Sequence, residues 1–205
     1  CLFRLASFRI NESNQPTHFT SIDIGTPPSP GVTYTNPASG VVAMNGRGSI
    51  DKKGDEIHFA HERLSGDFSL TTEVVSLLRT NASGRSGVML RENTKPTSAF
   101  HFISLTSDGV VDVTSREAGD LRSKVATGAI DWADAPRWLR IKREGAEVTS
   151  FHSRDGRNWS QAGSLKLNPE RPVLVGLAID SSERGRTTGA LYHNTRFECD
   201  SRRAR

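Results

Sequence analysis

Five side chains with the chemistry to recognise a sugar fall on predicted strands: Glu73, Met89, Arg91, His101 and Arg116. Each belongs to the more polar set of alternating positions in its segment, and alternate residues of a strand share one face. Arginine offers a planar fork of donors that suits sugar hydroxyls or a uronate carboxylate. The pattern therefore predicts a polar groove that binds a carbohydrate. The alternative is a buried or half-buried network of ion pairs between neighbouring strands.

The same residues fit catalysis less well. Glycoside hydrolysis needs two carboxylates about 5–10 Å apart, and no single strand carries a run of acidic residues that supplies them. Glu73 is one candidate, and its possible partners are Glu62, Glu92 and Asp112. A lyase would need a base such as His101 beside an arginine such as Arg91. The sequence favours a protein that is not an enzyme.

Two tryptophans could add a stacking surface for a sugar ring. Trp132 lies in a polar segment before Pro136, which makes it the candidate for an exposed platform. Trp138 begins an alternating segment and could instead pack in the core. In S-R-D-G-R-N-W we interpret Ser153, Asp155 and Trp159 as hairpin stabilisers, with Asp155 capping backbone amides and Trp159 covering the turn.

Aspartates at predicted turns raise the question of a structural calcium ion, because Ca²⁺ prefers carboxylate and carbonyl oxygens. The aspartates concerned are Asp23, Asp51, Asp55 and Asp67. Aspartates also cap turns without a metal. The histidines at 58, 61 and 101 do not show zinc-ligand spacing on any one strand. The sequence predicts no cofactor, with structural calcium as the alternative.

The elements that would position these residues are predicted to be strands throughout. In residues 136–159, β-favouring residues alternate around Glu144-Gly145 and Asp155-Gly156, and Asp-Gly is typical of a tight hairpin turn. Similar segments recur every 8–12 residues or so, which predicts about a dozen strands. Residues 172–180 are almost all apolar, so that strand is predicted to be covered on both faces. The chain is therefore predicted to be an all-β sandwich.

Length and charge limit the possible classes of protein. The 205 residues carry a net charge of +4. We predict a single sandwich domain over 19–199, an N-terminal extension or first strand over 1–18, and a basic tail over 200–205. The arginines are scattered and form no basic stripe with stacking aromatics, which argues against nucleic acid as a partner. No apolar run reaches membrane-spanning length. Two cysteines exclude a disulfide framework, and whether Cys1 and Cys199 pair stays open.

Seven segments between residues 21 and 197 resemble the DUF1349 family, which is related to the yeast regulator of enolase and belongs to the concanavalin A-like lectin/glucanase superfamily. In order they are S-I-D-I-G-T-P, G-V-V-A-M-N-G-R-G-S-I-D, E-I-H-F-A-H-E-R-L-S-G-D-F, S-G-V-M-L-R-E, W-L-R-I-K-R-E-G, S-R-D-G-R-N-W and V-L-V-G-L-A. The resemblance implies a jelly-roll sandwich of two curved antiparallel sheets. It also implies an accessory module of a multidomain bacterial protein in the envelope or outside the cell, with carbohydrate as its ligand.

The chain departs from that family where aromatic residues could stack on a sugar. Relatives commonly carry aromatics where this chain has S-G-R at 83–85 and K-K at 52–53, and they end in a phenylalanine-aspartate-asparagine strand where this chain has L-Y-H-N at 191–194. Three functions therefore stay open: a carbohydrate-binding module, a protein–protein interaction or structural module without a sugar site, and, less favoured, a glycan hydrolase or lyase.

Overall fold

The computed structural model describes residues 19–78, 83–117, 120–128 and 132–199. These residues form fourteen β-strands and a 3-10 helix at Trp132–Asp134. In chain order the strands are β1 (Thr20–Ile24), β2 (Val32–Thr35), β3 (Val42–Gly48), β4 (Ile57–Leu64), β5 (Phe68–Leu77), β6 (Arg85–Arg91), β7 (Phe100–Thr106), β8 (Val111–Glu117), β9 (Asp120–Val125), β10 (Trp138–Glu144), β11 (Glu147–Ser153), β12 (Ser160–Lys166), β13 (Val173–Asp180) and β14 (Glu183–Cys199).

The strands pair antiparallel into two seven-stranded sheets. Sheet 1 has the order β1-β4-β13-β6-β7-β8-β9, and sheet 2 has the order β12-β11-β10-β5-β14-β3-β2. Consecutive strands such as β4, β5 and β6 alternate between the sheets, so the chain crosses the sandwich repeatedly, as a jelly roll does. The predicted all-β jelly-roll sandwich is confirmed. The predicted extension at 1–18, the tail at 200–205 and the possible Cys1–Cys199 pair involve residues outside the described ranges, and the domain limits stay predictions.

The main hydrophobic core fills the space between the sheets. Leu90 and Ile103 of sheet 1 face Leu70 and Leu139 of sheet 2, and all four are fully buried. Burial of each such side chain stabilises the fold by about 1.5–3 kcal/mol. Alternation along each strand sends the intervening residues to the outer faces of the sandwich. Those two outer faces are where a functional site could lie.

A second hydrophobic cluster covers the outer face of sheet 1. Its members include Phe59, Met89, Phe100 and Phe102, all fully buried. Strand β13 is buried at every position, which agrees with the prediction that it is covered on both faces. Several strands of sheet 1 are therefore apolar on both faces. This matters for the site, because alternation alone does not then distinguish the inner face from the outer one.

Glycines set two connections in the β10–β11–β12 meander. The β10–β11 hairpin turns at Gly145, which has φ +59°. The prediction of a tight turn at Asp155-Gly156 is only partly correct, because residues 154–159 form a longer connection between β11 and β12. Gly156 has φ +69°, and a Cβ there would lie 2.9 Å from the ring of Trp138. A glycine is needed at this position both for its backbone conformation and for the close approach of the indole.

Candidate functional site

The predicted site residues do not form one groove, because the fold places them in four different environments. Met89, Arg91 and Arg116 lie on the outer face of sheet 1, whereas His101 lies between the sheets. Glu73 and Trp138 lie on the outer face of sheet 2, and Trp132 packs against the edge of the main core. The shared polar face predicted from the sequence is therefore wrong for His101 and Glu73.

The arginines of sheet 1 share a buried carboxylate. Arg91 Nη1 and Arg116 Nη1 both donate to Asp55 Oδ2, at 2.6 and 2.8 Å. Both guanidinium groups also lie over the ring of Phe100, at 5.4 and 5.1 Å from its centroid. Neither arginine is more than 1% exposed. Burial lowers the pKa of Arg91, and the charge of Asp55 opposes that shift.

The remaining donors of these arginines hold two loops over the cluster. Arg91 Nη2 donates to the carbonyl of Lys95 at 2.8 Å, and Arg116 Nη1 donates to that of Pro96 at 2.8 Å. Arg116 Nη2 also bonds the carbonyl of Asp51. Segments 51–55 and 93–98 thus close this face. The arrangement corresponds to the ion-pair network that was the alternative to a groove, and a ligand could reach it only if the loops opened.

His101 points into the sandwich because it pairs in register with Leu90, a core residue, and not with Arg91. Its Nδ1 lies 2.7 Å from Ser115 Oγ, and its Nε2 lies 2.9 Å from Ser150 Oγ on the opposite sheet. Burial lowers the pKa of His101 to about 4, so the imidazole is neutral at pH 7. His101 and Arg91 therefore do not form the base and neutralising pair that a lyase would need.

His101 forms part of the wall of a cleft along the open side of the sandwich, between β8–β9 and β12. The cleft has a volume of about 490 Å³ and is lined by polar groups that include Ser115, Glu117 and Gln161. A second cavity of about 420 Å³ shares Glu117 with it and reaches Lys166. The described lining of both cavities contains no Phe, Trp or Tyr. The cleft can donate and accept hydrogen bonds but offers no stacking surface for a sugar ring.

A second buried histidine bridges the opposite open side, and the sequence did not reveal it. Asp23 Oδ1 lies 2.7 Å from His58 Nδ1, and His58 Nε2 lies 2.9 Å from Thr33 Oγ1. The order carboxylate, imidazole, hydroxyl is that of a catalytic triad. The backbone of Gly31 packs so closely that a Cβ there would lie 2.3 Å from the imidazole. With His58 only 3% exposed, the arrangement links β1 and β4 to β2 as a structural bridge.

The predicted calcium alternative finds no ligand set in the described part of the chain, where no three acidic, histidine or cysteine side chains converge on one point. The four aspartates have separate partners. Asp51 Oδ1 accepts the amide of Lys53 at 2.7 Å, and Asp67 Oδ1 accepts that of Gly145 at 2.7 Å. Both therefore act as caps of the backbone.

The outer face of sheet 2 brings aromatic and polar side chains together. Trp138 of β10 is the direct cross-strand neighbour of Glu73, and both are half-buried. Arg140, the next residue of β10 on this face, lies between Thr71 and Phe151 on the flanking strands. Cross-strand neighbours on one face have Cβ atoms about 4.5–5.5 Å apart. These side chains form one patch, which we name the aromatic platform: Glu73, Trp138, Arg140 and Phe151, with Trp159 against Arg140 and the fully buried Thr71 bonded to it.

Arg140 connects Trp159, in the loop after β11, to Thr71 on strand β5. Its guanidinium carbon lies 4.0 Å from the centroid of the Trp159 ring, and its Nε donates to Thr71 Oγ1 at 2.8 Å. Beside it, Glu73 Oε2 accepts the side-chain amide of Asn194 at 3.1 Å. Partial burial lowers the pKa of Arg140. Side chains with both stacking faces and hydrogen-bonding groups are the kind that sugar recognition uses.

The two tryptophans exchange the environments expected for them. Trp132 was the candidate for an exposed platform, but it is half-buried and packs against the main core at the start of the 3-10 helix. Trp138 could have been a core residue, but it lies on the outer face of sheet 2. The reason is the register of β10, in which Leu139 and Ile141 point inward and the residues before and between them point outward.

The turn after β11 is capped as predicted. Asp155 Oδ1 accepts the backbone amides of Arg157 and Asn158, both at 2.8 Å, and these bonds lower the pKa of Asp155. Ser153 Oγ accepts the amide of Gly156 at 3.0 Å. The residue that covers this turn is Trp138, through its contact with Gly156, whereas Trp159 stacks on Arg140. The cap therefore fixes the loop that carries Trp159.

No family model matches the chain, and no curated protein matches it in sequence. Three similar solved structures share its fold. A functionally unknown protein from Saccharomyces cerevisiae is 15% identical with a TM-score of 0.66, covering 89% of this chain and 97% of that one. The carbohydrate binding module CBM66 from Bacillus subtilis is 14% identical with a TM-score of 0.55, covering 89% and 98%. The third, a xylan β-1,4-xylosidase from Bacillus halodurans, is 11% identical with a TM-score of 0.59, covering 78% and 33%.

These likenesses extend over most of the sandwich and are likenesses of fold. They agree with the concanavalin A-like architecture that the sequence resemblance implied. The chain spans about a third of the length of the xylosidase and nearly the full length of the other two proteins. No helix within the described ranges is long and apolar enough to cross a membrane.

Proposed function

We propose that this protein is a non-catalytic carbohydrate-binding module and that it binds sugar on the aromatic platform of sheet 2. The observation that carries the proposal is the grouping of half-buried Trp138, Phe151 and Trp159 with Glu73 and Arg140 on one open sheet face. A pyranose ring presents C–H groups on one face and hydroxyls around its rim. An indole can take the first and charged side chains can take the second.

The arrangement of carboxylates favours binding over hydrolysis. Glu73 stands beside Trp138, but hydrolysis needs a second carboxylate about 5–10 Å away. Glu198 on the same face is the cross-strand neighbour of Ser69, four residues and roughly 13 Å along β5 from Glu73. It accepts hydrogen bonds from Arg196 and from Ser69, both at 3.2 Å. A lyase is disfavoured by the separation of His101 from the arginines of sheet 1.

We also propose that the chain belongs to the regulator-of-enolase-like DUF1349 family. This proposal rests on the seven segments of the sequence that resemble that family. A role as one module of a larger protein, outside the cell or in the envelope, is supported by the match to a third of a xylosidase. A carbohydrate binding module of nearly the same length among the similar structures also supports it.

The test is a screen of the purified protein against a glycan and polysaccharide array, followed by calorimetry on each polymer that binds. Trp138→Ala removes the stacking surface and is expected to weaken binding about tenfold, since an aromatic contact contributes on the order of 1 kcal/mol beyond its buried area. The matched control is Tyr34→Ser, which removes an aromatic that is 63% exposed on the far half of the same sheet. Binding lost in the control and kept in Trp138→Ala would move the site off the platform.

A second candidate function, self-association, is favoured by the other half of this face. Five of the six exposed large hydrophobic side chains in the described residues lie there: Val32, Tyr34, Val75, Leu78 and Leu191. Strand β2 is the edge of sheet 2 and contains neither lysine nor proline, so the edge of a second copy could pair with it about a two-fold axis. Sedimentation equilibrium tests this: Val32→Ser, on β2 itself, should shift a dimer to monomer, and a monomer at all concentrations would exclude it.

A further inference from the structure

We propose that the aromatic platform selects acidic sugars, with Arg140 as the residue that binds the carboxylate of a uronate. This inference rests on the proposed carbohydrate-binding function and specifies its ligand class. It depends on one property of Arg140: the residue is partly buried, yet no carboxylate in the described part of the chain forms an ion pair with it.

The other buried arginines are occupied within the fold. Arg91 and Arg116 share Asp55, and Arg143 donates to four backbone carbonyls. Arg85 pairs with two aspartates. Arg140, by contrast, makes a side-chain hydrogen bond through Nε alone among the described residues, to the neutral hydroxyl of Thr71. Its two Nη groups retain their donors for a ligand.

The nearest negative charge does not neutralise Arg140. Glu198 acts on it electrostatically, but Glu198 forms its ion pair with Arg196 and accepts a hydrogen bond from Ser69. Arg196 adds a like charge that opposes the effect of Glu198. Of the two guanidinium groups near Glu198, only that of Arg196 is paired with it. A ligand carboxylate would complete the pairing and form charge-assisted hydrogen bonds.

The guanidinium is also held in a fixed orientation. The guanidinium carbon lies over the Trp159 ring at 4.0 Å, and the Nε bond to Thr71 restrains the guanidinium at a second point. A guanidinium held in this way loses little conformational freedom when a carboxylate binds to its Nη groups. Lysine cannot reproduce this geometry, since an ammonium group is a point charge without a fork.

Trp138 and Glu73 set where the sugar ring would lie. Trp138 is two residues from Arg140 on the same strand, which separates them by roughly 7 Å along the sheet. A pyranose stacked on Trp138 can therefore direct its exocyclic carboxylate to Arg140. Glu73, the cross-strand neighbour of Trp138, accepts hydrogen bonds from hydroxyls and repels a carboxylate. The pair thus favours one orientation of an acidic sugar on the platform.

The experiment compares acidic polymers with the same polymers after their charge is removed. Calorimetry of the full chain is carried out with polygalacturonate and alginate, each beside its methyl ester. We expect the acidic form to bind at least tenfold more tightly than its ester. Arg140→Gln should abolish that preference, and Arg140→Lys should restore only part of it.

The matched control is Lys142→Gln, which removes the same charge from the next position of β10 on the same face, where Lys142 pairs with Glu144 at 2.8 Å. This variant should keep the preference for the acidic form. Equal binding of acid and ester, or equal losses in Arg140→Gln and Lys142→Gln, would overturn the inference and leave the carbohydrate-binding proposal in place. Failure to bind any carbohydrate would overturn both. Thermal melting of each variant verifies that it is folded.

Discussion

The two outer faces of this sandwich carry similar residues and use them differently. On sheet 1, Arg91 and Arg116 lie over an aromatic ring, share Asp55 and are covered by two loops. On sheet 2, Arg140 also lies over an aromatic ring, that of Trp159 in the loop after β11, but among the described residues its terminal donors have no partner. An arginine that lies on an aromatic ring is therefore either part of the fold or available to a ligand, depending on what else accepts hydrogen bonds from it.

The outer face of sheet 1, which two loops close, depends on the carboxylate of Asp55. Two guanidinium groups with a single aspartate leave an excess positive charge away from water, and such a charge is costly unless hydrogen bonds compensate it. Here the carbonyls of the covering loops and the face of Phe100 supply the compensation. The open face has a smaller requirement, because its charges are only partly buried. The two faces should therefore respond very differently to loss of an acidic residue.

The largest expected effect comes from Asp55→Ala. It leaves two buried guanidinium groups without a counter-charge, so we expect the free energy of unfolding to fall by about 3–5 kcal/mol. Glu73→Ala on the open face is the control and should cost less than about 1 kcal/mol. Urea denaturation of both variants measures the difference. Similar losses in the two variants would mean that the outer face of sheet 1 depends on its acidic residue no more than that of sheet 2 does.

His101, which lies between the two sheets, is expected to make the free energy of unfolding sensitive to acid. The pKa of His101 is about 4 in the folded chain and about 6.5 when unfolded. Between these values only the unfolded state binds the proton, so stability falls as the pH is lowered from 6.5 to 4, by up to about 1.4 kcal/mol per pH unit. Urea unfolding against pH should show a shallower decline for His101→Gln. An identical slope in the variant would contradict the assignment.

A smaller effect tests how Trp138 is held on the open face. Gly156 and Gly145 both have positive φ, but only Gly156 contacts the indole, and nothing lies within 4 Å of a Cβ built at Gly145. Alanine at either position should cost about 1 kcal/mol through backbone strain. Gly156→Ala should cost more and should also weaken sugar binding, since the tryptophan must move. Equal losses of stability and unchanged binding would show that the turn does not position the platform.

The smallest effect is expected at the exposed pair of Lys142 and Glu144. Lys142→Ala should change the free energy of unfolding by less than about 0.5 kcal/mol, because solvent screens an exposed ion pair. Urea denaturation measures it beside Arg140→Ala, which loses the stacking contact with Trp159 as well. A Lys142 effect as large as that of Arg140 would remove the distinction between the two positions.

Much of the fold was predictable because its signals are local. Alternation and turn glycines predicted the strands, the apolar run at 172–180 predicted a strand buried on both faces, and Asp155 was recognised as a turn cap. The site was less predictable. His101 and Arg91 belong to the polar positions of their own strands, but pairing places His101 beside Leu90 and so on the inner face. Phe100 and Phe102 are apolar but lie on the outer face. The polarity of alternate residues in β7 therefore did not indicate which side of the strand faces the core.

Strand period and turn chemistry are properties of neighbouring residues, so local patterns were enough to predict an antiparallel β-sandwich. Which face of each strand is inside, and which charges remain available, depends on contacts between distant parts of the chain. Asp55 is 36 residues from Arg91, and Arg140 is 69 residues from Thr71. Such pairs form through sheet register and loop packing, and no pattern within one strand encodes them. The function of each arginine follows from those distant partners.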